Sequence, residues 1–408
     1  MNKNRLFLAS CLALVVTAMS FAIRGDIMGD FEQVFSLSKT NVGWISSAAF
    51  WGFALSILVG GPLCDLLGMG NIMFLAAAGH IGGSIITIFA PNFTVLFLGT
   101  LVIGIANGLV EAAINPLVAT LYPKEKTKKL VALHAWFPGG IVIGGLLCFA
   151  LKYAGLGPGS ALGWKVKMGL MLLPAVIYVV LYLGQKFPAT ERAAAGISFG
   201  AMFKEALRPL FIMIWLCMWL TAATELGPGQ WVTNIFNDVM KNVSWASGAG
   251  ILLLCWINGL MYLLRQFGAP IAHRFSPVGL IAFTSVFAAL GLWLYTISTS
   301  PVMWFVAAAI FAFGVAFWWP TMLGITSERF PRGGALLLAL IGSTGNISTA
   351  VAGPVMGKIN DTWGPKSVLP IWSALPVVLL VIFLLIYLSD RAKGGYIIEH
   401  IGGNKAEE

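Results

Sequence analysis

Charged residues are scarce in this sequence, and their scarcity excludes a soluble globular protein. Only 10% of the 408 residues are Asp, Glu, Lys or Arg, and 58% are hydrophobic. A soluble domain carries roughly 25% charged residues. Because the mean hydropathy is +0.87, the chain is predicted to be a polytopic membrane protein surrounded by a lipid bilayer.

Clusters of chemically reactive side chains are also missing. The five cysteines are scattered and form no CxxC pair, and the four histidines lie far apart in sequence. These spacings exclude a disulfide framework and a metal site, so we expect neither a metal nor a cofactor. No nucleophile–base pair stands out, which argues against an enzyme. No basic stripe with interleaved aromatic residues occurs, which argues against a nucleic acid partner.

Long apolar runs are abundant instead. A helix needs about 20 residues to cross a bilayer, and twelve runs approach or exceed that length. The predicted spans, numbered 1 to 12 in chain order, are Leu6–Ile23, Val42–Leu63, Ile72–Phe89, Val95–Leu121, Leu130–Leu151, Met168–Leu183, Pro209–Leu226, Ala246–Leu264, Val278–Thr296, Pro301–Leu323, Ala335–Val355 and Val368–Leu388. The predicted fold class is therefore all-α, with twelve transmembrane helices.

The most polar internal segment, Gly184–Arg208, separates six spans from six. A short sequence similarity between the halves supports a repeat, because Gly61–Gly68 and Ala269–Ser276 carry a proline at the same place after spans 2 and 8. We predict two six-helix pseudo-repeats. Their ranges are an N-terminal bundle over 1–183, a cytoplasmic linker over 184–208, a C-terminal bundle over 209–390 and a cytoplasmic tail over 391–408.

The basic residues set the predicted orientation. When the spans alternate in direction, seventeen of the 25 Lys and Arg residues fall on the side of the N-terminus. Because cytoplasmic loops are enriched in Lys and Arg, both termini are predicted to face the cytoplasm. These loops also account for the net charge of +9. We expect a multi-pass protein of the plasma membrane, which in a bacterium is the inner membrane.

One acidic residue lies near the middle of an apolar span. Asn107, Glu111 and Asn115 in span 4 fall at i, i+4 and i+8, which places them on one face of a helix. A carboxylate at that depth costs at least ~2.5 kcal/mol to insert, so it is normally paired, protonated or hydrated. Glu111 is therefore either a proton-carrying residue or a structural acid between helices. Gly104 and Gly108 lie on a different face and suit close helix packing.

Four spans contain residues that interrupt helices. These are Pro116 in span 4, Pro138 in span 5, Gly227–Gly229 in span 7 and Pro320 in span 10. A proline leaves one carbonyl without its helical donor, and at membrane depth that carbonyl must find protein or water. In membrane transport proteins, interrupted helices point to a binding site.

Further polar residues could contact a solute. Glu225, Gln230 and Asn234 surround the predicted break in span 7, and spans 8 and 11 contribute Asn258 and Asn346. An unwound segment beside an acid can bind a cation or a hydroxylated ligand. The alternatives are a position of Glu225 near the outer boundary and amides that only bridge helices.

Aromatic residues suit a sugar, whose C–H patches pack on indole rings while its hydroxyls pair with amides or carboxylates. Trp318 and Trp319 before Pro320, and Trp136 in span 5, are the candidates, although most tryptophans are expected at the membrane interface. His134 beside Trp136 could bind, gate or tune pH dependence, or it could be satisfied near the inner boundary.

Asp26 lies about 30 Å from Leu6 at ~1.5 Å per residue, so length alone makes it either a functional acid or a loop ion pair.

Short motifs in four spans match one family pattern. Glu111–Val118 reads E-A-A-I-N-P-L-V and is similar to E-x-x-x-N-P-x-V, and Trp319–Thr321 is near F-P-T. Leu130–Gly140 and Ala223–Asn234 are similar to the corresponding motifs of spans 5 and 7. Over nearly its whole length the chain resembles the major facilitator superfamily and, within it, the fucose–galactose–glucose–proton symporter family. The resemblance implies the major facilitator fold.

The same resemblance implies that Asp26 and Glu111 are the proton-linked acids, and that span 1 is longer than its apolar run. The sequence departs from the family in span 5, where His134 and Phe137 replace a glutamine and an asparagine.

We therefore expect a secondary active transporter, in which alternating access couples a sugar or other small hydroxylated solute to protons. The expected partners are a monosaccharide, the proton and the bilayer; Na⁺ stays open as the coupling ion, and the chain is expected to act as a monomer. Two alternatives are a proton-driven exporter or antiporter of amphipathic compounds, and a transport-inactive membrane receptor or scaffold. The predicted solute-binding residues are Asn107, Asn115, His134, Trp136, Glu225, Gln230, Asn234, Asn258, Trp318, Trp319 and Asn346.

Overall fold

The computed structural model describes residues 1–37, 39–122, 126–156, 160, 162–189, 199–243, 246, 249–267 and 275–399. Within these ranges the chain is helical and contains no strand. The α-helices are Lys3–Val34, Lys39–Leu67, Met69–Ile88, Phe93–Leu121, Lys126–His134, Trp136–Leu151, Gly163–Gly169, Leu172–Tyr182, Phe199–Ala206, Pro209–Val239, Gly250–Phe267, Pro277–Leu294, Pro301–Val315, Trp318–Arg329, Gly334–Trp363, Pro365–Trp372 and Ala374–Ala392.

Twelve stretches of these described residues are long and apolar enough to cross a membrane, which confirms the predicted class and the twelve spans. Span 1 extends well past its apolar run. Its helix, Lys3–Val34, is unbroken and begins with Asn2, whose side chain accepts a hydrogen bond from the Arg5 N–H. Arg24 and Asp26 therefore lie in a helix rather than in a loop.

The prolines of spans 4 and 7 do not interrupt their helices. Pro116 and Pro228 lie inside continuous helices, so the predicted breaks there are wrong. One proline removes one hydrogen bond, and neighbouring spans can supply another donor. In span 4 the carbonyl of Ala112, four residues before Pro116, accepts a contact from the Cys64 thiol at 3.6 Å.

Spans 5 and 10 are interrupted, as predicted. Span 5 consists of two helices that meet at Ala135, and span 10 of two helices separated by Ala316 and Phe317. In both spans the interruption lies one turn before the proline, at the level of the carbonyl that the proline leaves without a donor. Spans 6 and 12 are also divided, near Leu170 and at Ser373, which was not predicted.

The buried apolar side chains form two large clusters. One is drawn from residues 6–182 and the other mainly from residues 211–386. A third, small cluster joins Phe53 and Ile57 of span 2 to Ala339 of span 11, with Phe21 of span 1 against it. This cluster ties the first six spans to the last six. The bounds of the predicted bundles stay a prediction.

Glycines let spans 2 and 4 approach closely. A Cβ on Gly104 would lie 2.2 Å from the Ala49 carbonyl oxygen, and one on Gly108 would lie 2.0 Å from Ser56 Oγ. This confirms the prediction that the two glycines form a packing face. The packing leaves the other face of span 4, which carries Glu111, turned toward the interior.

The last described residues fold back on the ends of spans 7 and 10, in an arrangement we call the tail clasp. Arg208 donates two hydrogen bonds to the Glu399 carboxylate, at 2.8 and 2.6 Å. Arg329 donates to Asp390 and lies 4.5 Å from the centre of the Tyr396 ring. The Arg208 guanidinium lowers the pKa of the Glu399 carboxyl below its ordinary value.

Candidate functional site

A cavity of about 100 Å³ lies among spans 1, 2, 4, 5, 7, 8, 10 and 11. One enclosed water needs roughly 10–15 Å³, so the cavity can hold a solute of several non-hydrogen atoms. Seven of the predicted solute- or proton-binding residues line it, namely Glu111, His134, Glu225, Asn234, Asn258, Trp319 and Asn346. Sequence reasoning therefore located much of this site.

The lining extends from Glu111 toward one end of the spans. Gly25 and Asn234, which lie beyond it in that direction, are exposed. On the other side of the cavity, spans 2 and 11 are in van der Waals contact. A Cβ on Gly61 would lie 3.8 Å from Cβ of Ala339, and one on Gly342 would lie 3.9 Å from Ile57. The cavity is therefore reached from the end of the spans where Gly25 and Asn234 lie.

A buried ion pair forms the polar centre of the cavity. Arg265 Nη2 donates to Glu225 Oε1 at 2.8 Å, and only 4% of each side chain is exposed. The Trp319 backbone N–H donates to the other carboxylate oxygen at 3.2 Å. Trp319 is in the first turn of its helix, where the helix dipole favours a carboxylate. The Glu225 carboxylate is therefore held on both oxygens.

Arg265 also binds the two carbonyls that prolines leave free. In a helix the carbonyl of residue i accepts from the N–H of residue i+4, and proline has none. Pro320 thus frees the Ala316 carbonyl, which accepts from Arg265 Nε at 2.6 Å. Pro138 frees the His134 carbonyl, which lies 3.5 Å from Arg265 Nη1. One side chain from span 8 thereby joins the interruptions of spans 5 and 10.

Arg265 is the functional candidate that sequence reasoning missed. By its sequence position it falls among the basic residues on the predicted cytoplasmic side, but the structure places it in the last turns of the span 8 helix, where it is 5% exposed. The sequence does contain a signal. Asn258, Met261 and Arg265 fall at i, i+3 and i+7, which is one helical face, and all three line the cavity.

Glu111 is bound by the amide one turn along its own helix. Asn115 Nδ2 donates to Glu111 Oε2 at 3.0 Å and to the Glu111 carbonyl at 2.9 Å. The oxygen of the same amide, Oδ1, lies 2.9 Å from His134 Nε2. Asn115 lies outside the cavity lining and connects Glu111 to His134, and its predicted contact with a solute stays a prediction.

Asn107 bridges helices in this structure, and its predicted contact with a solute stays a prediction. It is completely buried outside the cavity lining. Its Oδ1 pairs with His80 Nε2 at 2.9 Å, and its Nδ2 donates to Ser20 Oγ at 3.0 Å. The second nitrogen of His80 meets the Tyr178 hydroxyl at 3.1 Å. Spans 1, 3, 4 and 6 are joined by this network.

Two of the three predicted stacking tryptophans lie away from the cavity. Trp318 is fully buried, and its indole N–H donates to Thr284 Oγ1 at 2.9 Å. Trp136 packs edge-on against Tyr262, with ring centroids 5.8 Å apart. Successive residues of a helix point about 100° apart, so of the pair in span 10 only Trp319 faces the cavity.

Asp26 is not brought to the cavity either. Its carboxylate lies 2.6 Å from Lys167 Nζ of span 6, and that lysine is 1% exposed. The guanidinium of Arg24 instead lies over the rings of Phe21 and Phe50, at 4.8 and 5.4 Å. The side chain of Gln230 lies outside the described residues, so its predicted role stays a prediction.

The sequence is similar to those of known membrane transport proteins. The sequence model of the Major Facilitator Superfamily matches residues 6–335. The D-xylose transporter of Levilactobacillus brevis is 28% identical over 162 residues, which cover 40% of this chain and 34% of that relative. The gentisate transporter of Corynebacterium glutamicum is 24% identical over 279 residues, covering 64% and 60%. The chain thus spans about a third of the length of the D-xylose transporter and three fifths of the length of the gentisate transporter.

The fold has solved counterparts. The crystal structure of the Escherichia coli fucose:proton symporter matches with a TM-score of 0.67 and 17% identity, over 93% of this chain and 98% of that one. At this identity the similarity concerns the fold. It confirms the fold that the sequence motifs implied.

Proposed function

The chain belongs to the major facilitator superfamily, and from that premise we propose that it is a secondary active transporter that moves a small hydroxylated solute, a monosaccharide in the first instance, together with protons. It is a multi-pass membrane protein. The observation that carries the proposal is the cavity in which Glu111 of span 4 shares a lining with the Glu225–Arg265 pair of spans 7 and 8. We also propose a plasma-membrane location with both termini in the cytoplasm, as the basic loops indicate.

The amides of the lining support a hydroxylated solute. Asn258 Nδ2 donates to the Leu254 carbonyl at 2.9 Å, and Asn346 Nδ2 donates to the Gly342 carbonyl at 3.0 Å. Each amide uses one N–H within its own helix, which leaves its oxygen and second N–H for solute hydroxyls. Trp319 adds an indole surface for the C–H face of a sugar ring.

The surroundings of Glu111 support the proton as the coupling ion. Na⁺ needs several oxygen ligands, whereas the described partner of the Glu111 carboxylate is an N–H donor, that of Asn115. A carboxyl group at this depth can take up and release a proton as the cavity changes the side to which it opens. Only the family resemblance supports Asp26 as a second proton-linked acid, because its carboxylate is paired with Lys167 in this structure.

A small aromatic hydroxy acid is a second candidate solute. The relative from Corynebacterium glutamicum is named for gentisate, and the lining contains the rings of Phe21, Phe50, Phe53, Phe137 and Phe311. The basic side chains of the described lining are those of His134 and Arg265, and Arg265 is already paired with Glu225. An incoming carboxylate would have to displace Glu225, so a neutral solute fits the charges better.

A binding screen separates these candidates. D-xylose, D-glucose, L-fucose, myo-inositol and gentisate would each be added to the purified protein while its unfolding temperature is measured. A ligand of the native state raises that temperature with concentration. We expect at least one sugar or polyol to raise it and gentisate to leave it unchanged. A shift with gentisate alone would favour the second candidate, and a flat response to every sugar would contradict the proposal.

The role of Glu111 is tested in proteoliposomes with an imposed pH gradient. We predict that Glu111→Gln abolishes gradient-driven accumulation of the sugar selected by the screen, because the amide cannot carry the proton. Exchange of labelled for unlabelled sugar across the membrane should continue. The matched control is Glu328→Gln, outside the cavity lining, which should accumulate normally. Full accumulation by Glu111→Gln would remove Glu111 from the coupling step.

A further inference from the structure

A continuous series of polar contacts connects the two carboxylates of the cavity. It runs from Glu111 to Asn115 at 3.0 Å and from Asn115 to His134 Nε2 at 2.9 Å. The His134 carbonyl continues it to Arg265 at 3.5 Å, and Arg265 reaches Glu225 at 2.8 Å. Glu111 and His134 belong to the first six spans, and Arg265 and Glu225 to the last six. The series therefore crosses between the two groups of spans.

The direction of each hydrogen bond follows from the amide of Asn115. Both hydrogens of its Nδ2 are used, on the carbonyl and on the carboxylate of Glu111. Its oxygen is thus the group that faces His134, so Nε2 of His134 must carry the hydrogen. This arrangement suits an ionised Glu111, which accepts and does not donate.

We propose that Asn115 and His134 are positioning residues that transmit the proton state of Glu111 to the Glu225–Arg265 pair. The proposal rests on the proposed function, because it explains how the proton site and the solute site can act on one another. The two residues form a relay by hydrogen-bond polarity; neither of them needs to contact the solute.

Protonation of Glu111 reverses that polarity. The new carboxyl O–H donates to Asn115 Oδ1 once the amide rotates by half a turn, and Nδ2 then donates to His134 Nε2. The Glu111 carbonyl loses the Nδ2 hydrogen bond and keeps its helical donor, the Asn115 backbone N–H. His134 gives up its Nε2 proton and takes one at Nδ1, so its net charge is unchanged. Both protons are exchanged with the cavity that His134 lines. The system as a whole gains the one proton on Glu111. The backbone carbonyl of His134 contacts Arg265, so a shift of this residue that accompanies the tautomer change acts on the ion pair.

Several other titratable groups on the described helices around span 4 have partners of their own. His80 of span 3 is bonded to Asn107 and Tyr178. Arg24 of span 1 lies over two phenylalanine rings, and Asp26 is paired with Lys167. The Cys64 thiol of span 2 contacts the Ala112 carbonyl. In span 5, His134 is the titratable side chain that meets the Glu111–Asn115 pair.

The probe for this relay is the proton alone. The full chain would be prepared with ¹⁵N-labelled histidine in lipid, and the tautomer of His134 followed by NMR as a function of pH, with His134→Gln to assign its signal. The carboxyl band of Glu111 would be followed by infrared spectroscopy, with Glu111→Gln to assign it. We expect His134 to change from the Nε2–H to the Nδ1–H tautomer at the midpoint at which Glu111 becomes protonated, and to lose that change in Glu111→Gln.

Variants of the amide separate a relay from a structural role. In Asn115→Leu, Glu111 should still titrate while His134 keeps one tautomer throughout. Thr120→Val, a polar-to-apolar change in the same helix whose hydroxyl donates to the Pro116 carbonyl, should leave both titrations and their shared midpoint intact. A single His134 tautomer across the titration of Glu111 in the unmodified chain would overturn the relay, as would a His134 that still follows Glu111 in Asn115→Leu. Since no solute is used, these outcomes are independent of the binding screen.

Discussion

At the scale of single residues, Arg265 shows why the chemistry of one side chain matters more than its charge. Its planar guanidinium holds the Glu225 carboxylate and the carbonyls of Ala316 and His134 at once. A lysine has the same charge but offers no fork of fixed N–H groups. Sequence reasoning could not foresee these contacts, because the two carbonyls come from helices that are distant in the chain.

Gly345 of span 11 leaves room for the one tryptophan that faces the cavity. A Cβ at this position would lie 2.6 Å from the Trp319 ring. We predict that Gly345→Ala displaces the ring and weakens binding of the selected sugar, because overpacking forces side chains out of position. Isothermal titration would measure the change. Gly353→Ala in the same span meets open space and should bind normally; equal affinities for the two variants would contradict the role of Trp319.

At the scale of helices, the sequence predicted the spans well and their interruptions only in part. Apolar length decides whether a helix can cross the bilayer, and that is a local property. Whether a proline divides a helix depends on what its neighbours offer. Pro116 and Pro228 lie in continuous helices, whereas spans 5 and 10 separate where Arg265 can bind the freed carbonyls.

Close packing of spans 2 and 4 positions Glu111, and it depends on the glycines between them. We predict that Gly108→Ala lowers the unfolding temperature in detergent, because its Cβ would meet Ser56 Oγ at 2.0 Å; overpacking of this kind costs ~1–3 kcal/mol. Gly43→Ala at the start of span 2 meets open space and is the matched control. A Gly108→Ala protein as stable as the control would show that the two helices can separate without loss.

At the scale of the whole molecule, the site is assembled from both groups of six spans, which explains the limits of sequence reasoning. The residue types of the lining were predicted from spans taken one at a time. Their pairing was not, because the Glu225–Arg265 ion pair and the Asn115–His134 contact join separate spans. The contacts of Trp318 and Asn107 were not predicted for the same reason, because each side chain pairs with a residue of a neighbouring helix.

The tail clasp makes a pH-dependent contact on the predicted cytoplasmic side. The pKa of Glu399 is lowered in the folded chain. The ionised Glu399 carboxylate therefore stabilises the tail clasp fully above the ordinary pKa of 4.5, and this stabilisation is lost as pH falls through the lowered pKa. We predict that a spin label at Ile398→Cys becomes mobile at low pH, and at every pH when Glu399→Gln is added. The five native cysteines are buried, so the label reports on the tail. Asp238→Asn, a distant exposed acid, should change nothing, and a label equally mobile at neutral pH would contradict the clasp.

The buried ion pair has one more consequence, which concerns membrane voltage. Glu225 and Arg265 neutralise each other, so among the described lining residues the carboxyl of Glu111 decides the net charge of the cavity. In the proposed symport cycle, the loaded carrier with its proton bound would change sides without moving charge. The empty carrier would return with Glu111 ionised, and a potential of 100 mV changes the energy of one full charge transfer by ~2.3 kcal/mol. An interior-negative potential would therefore drive the return of the empty carrier, and the cycle would be electrogenic through that step.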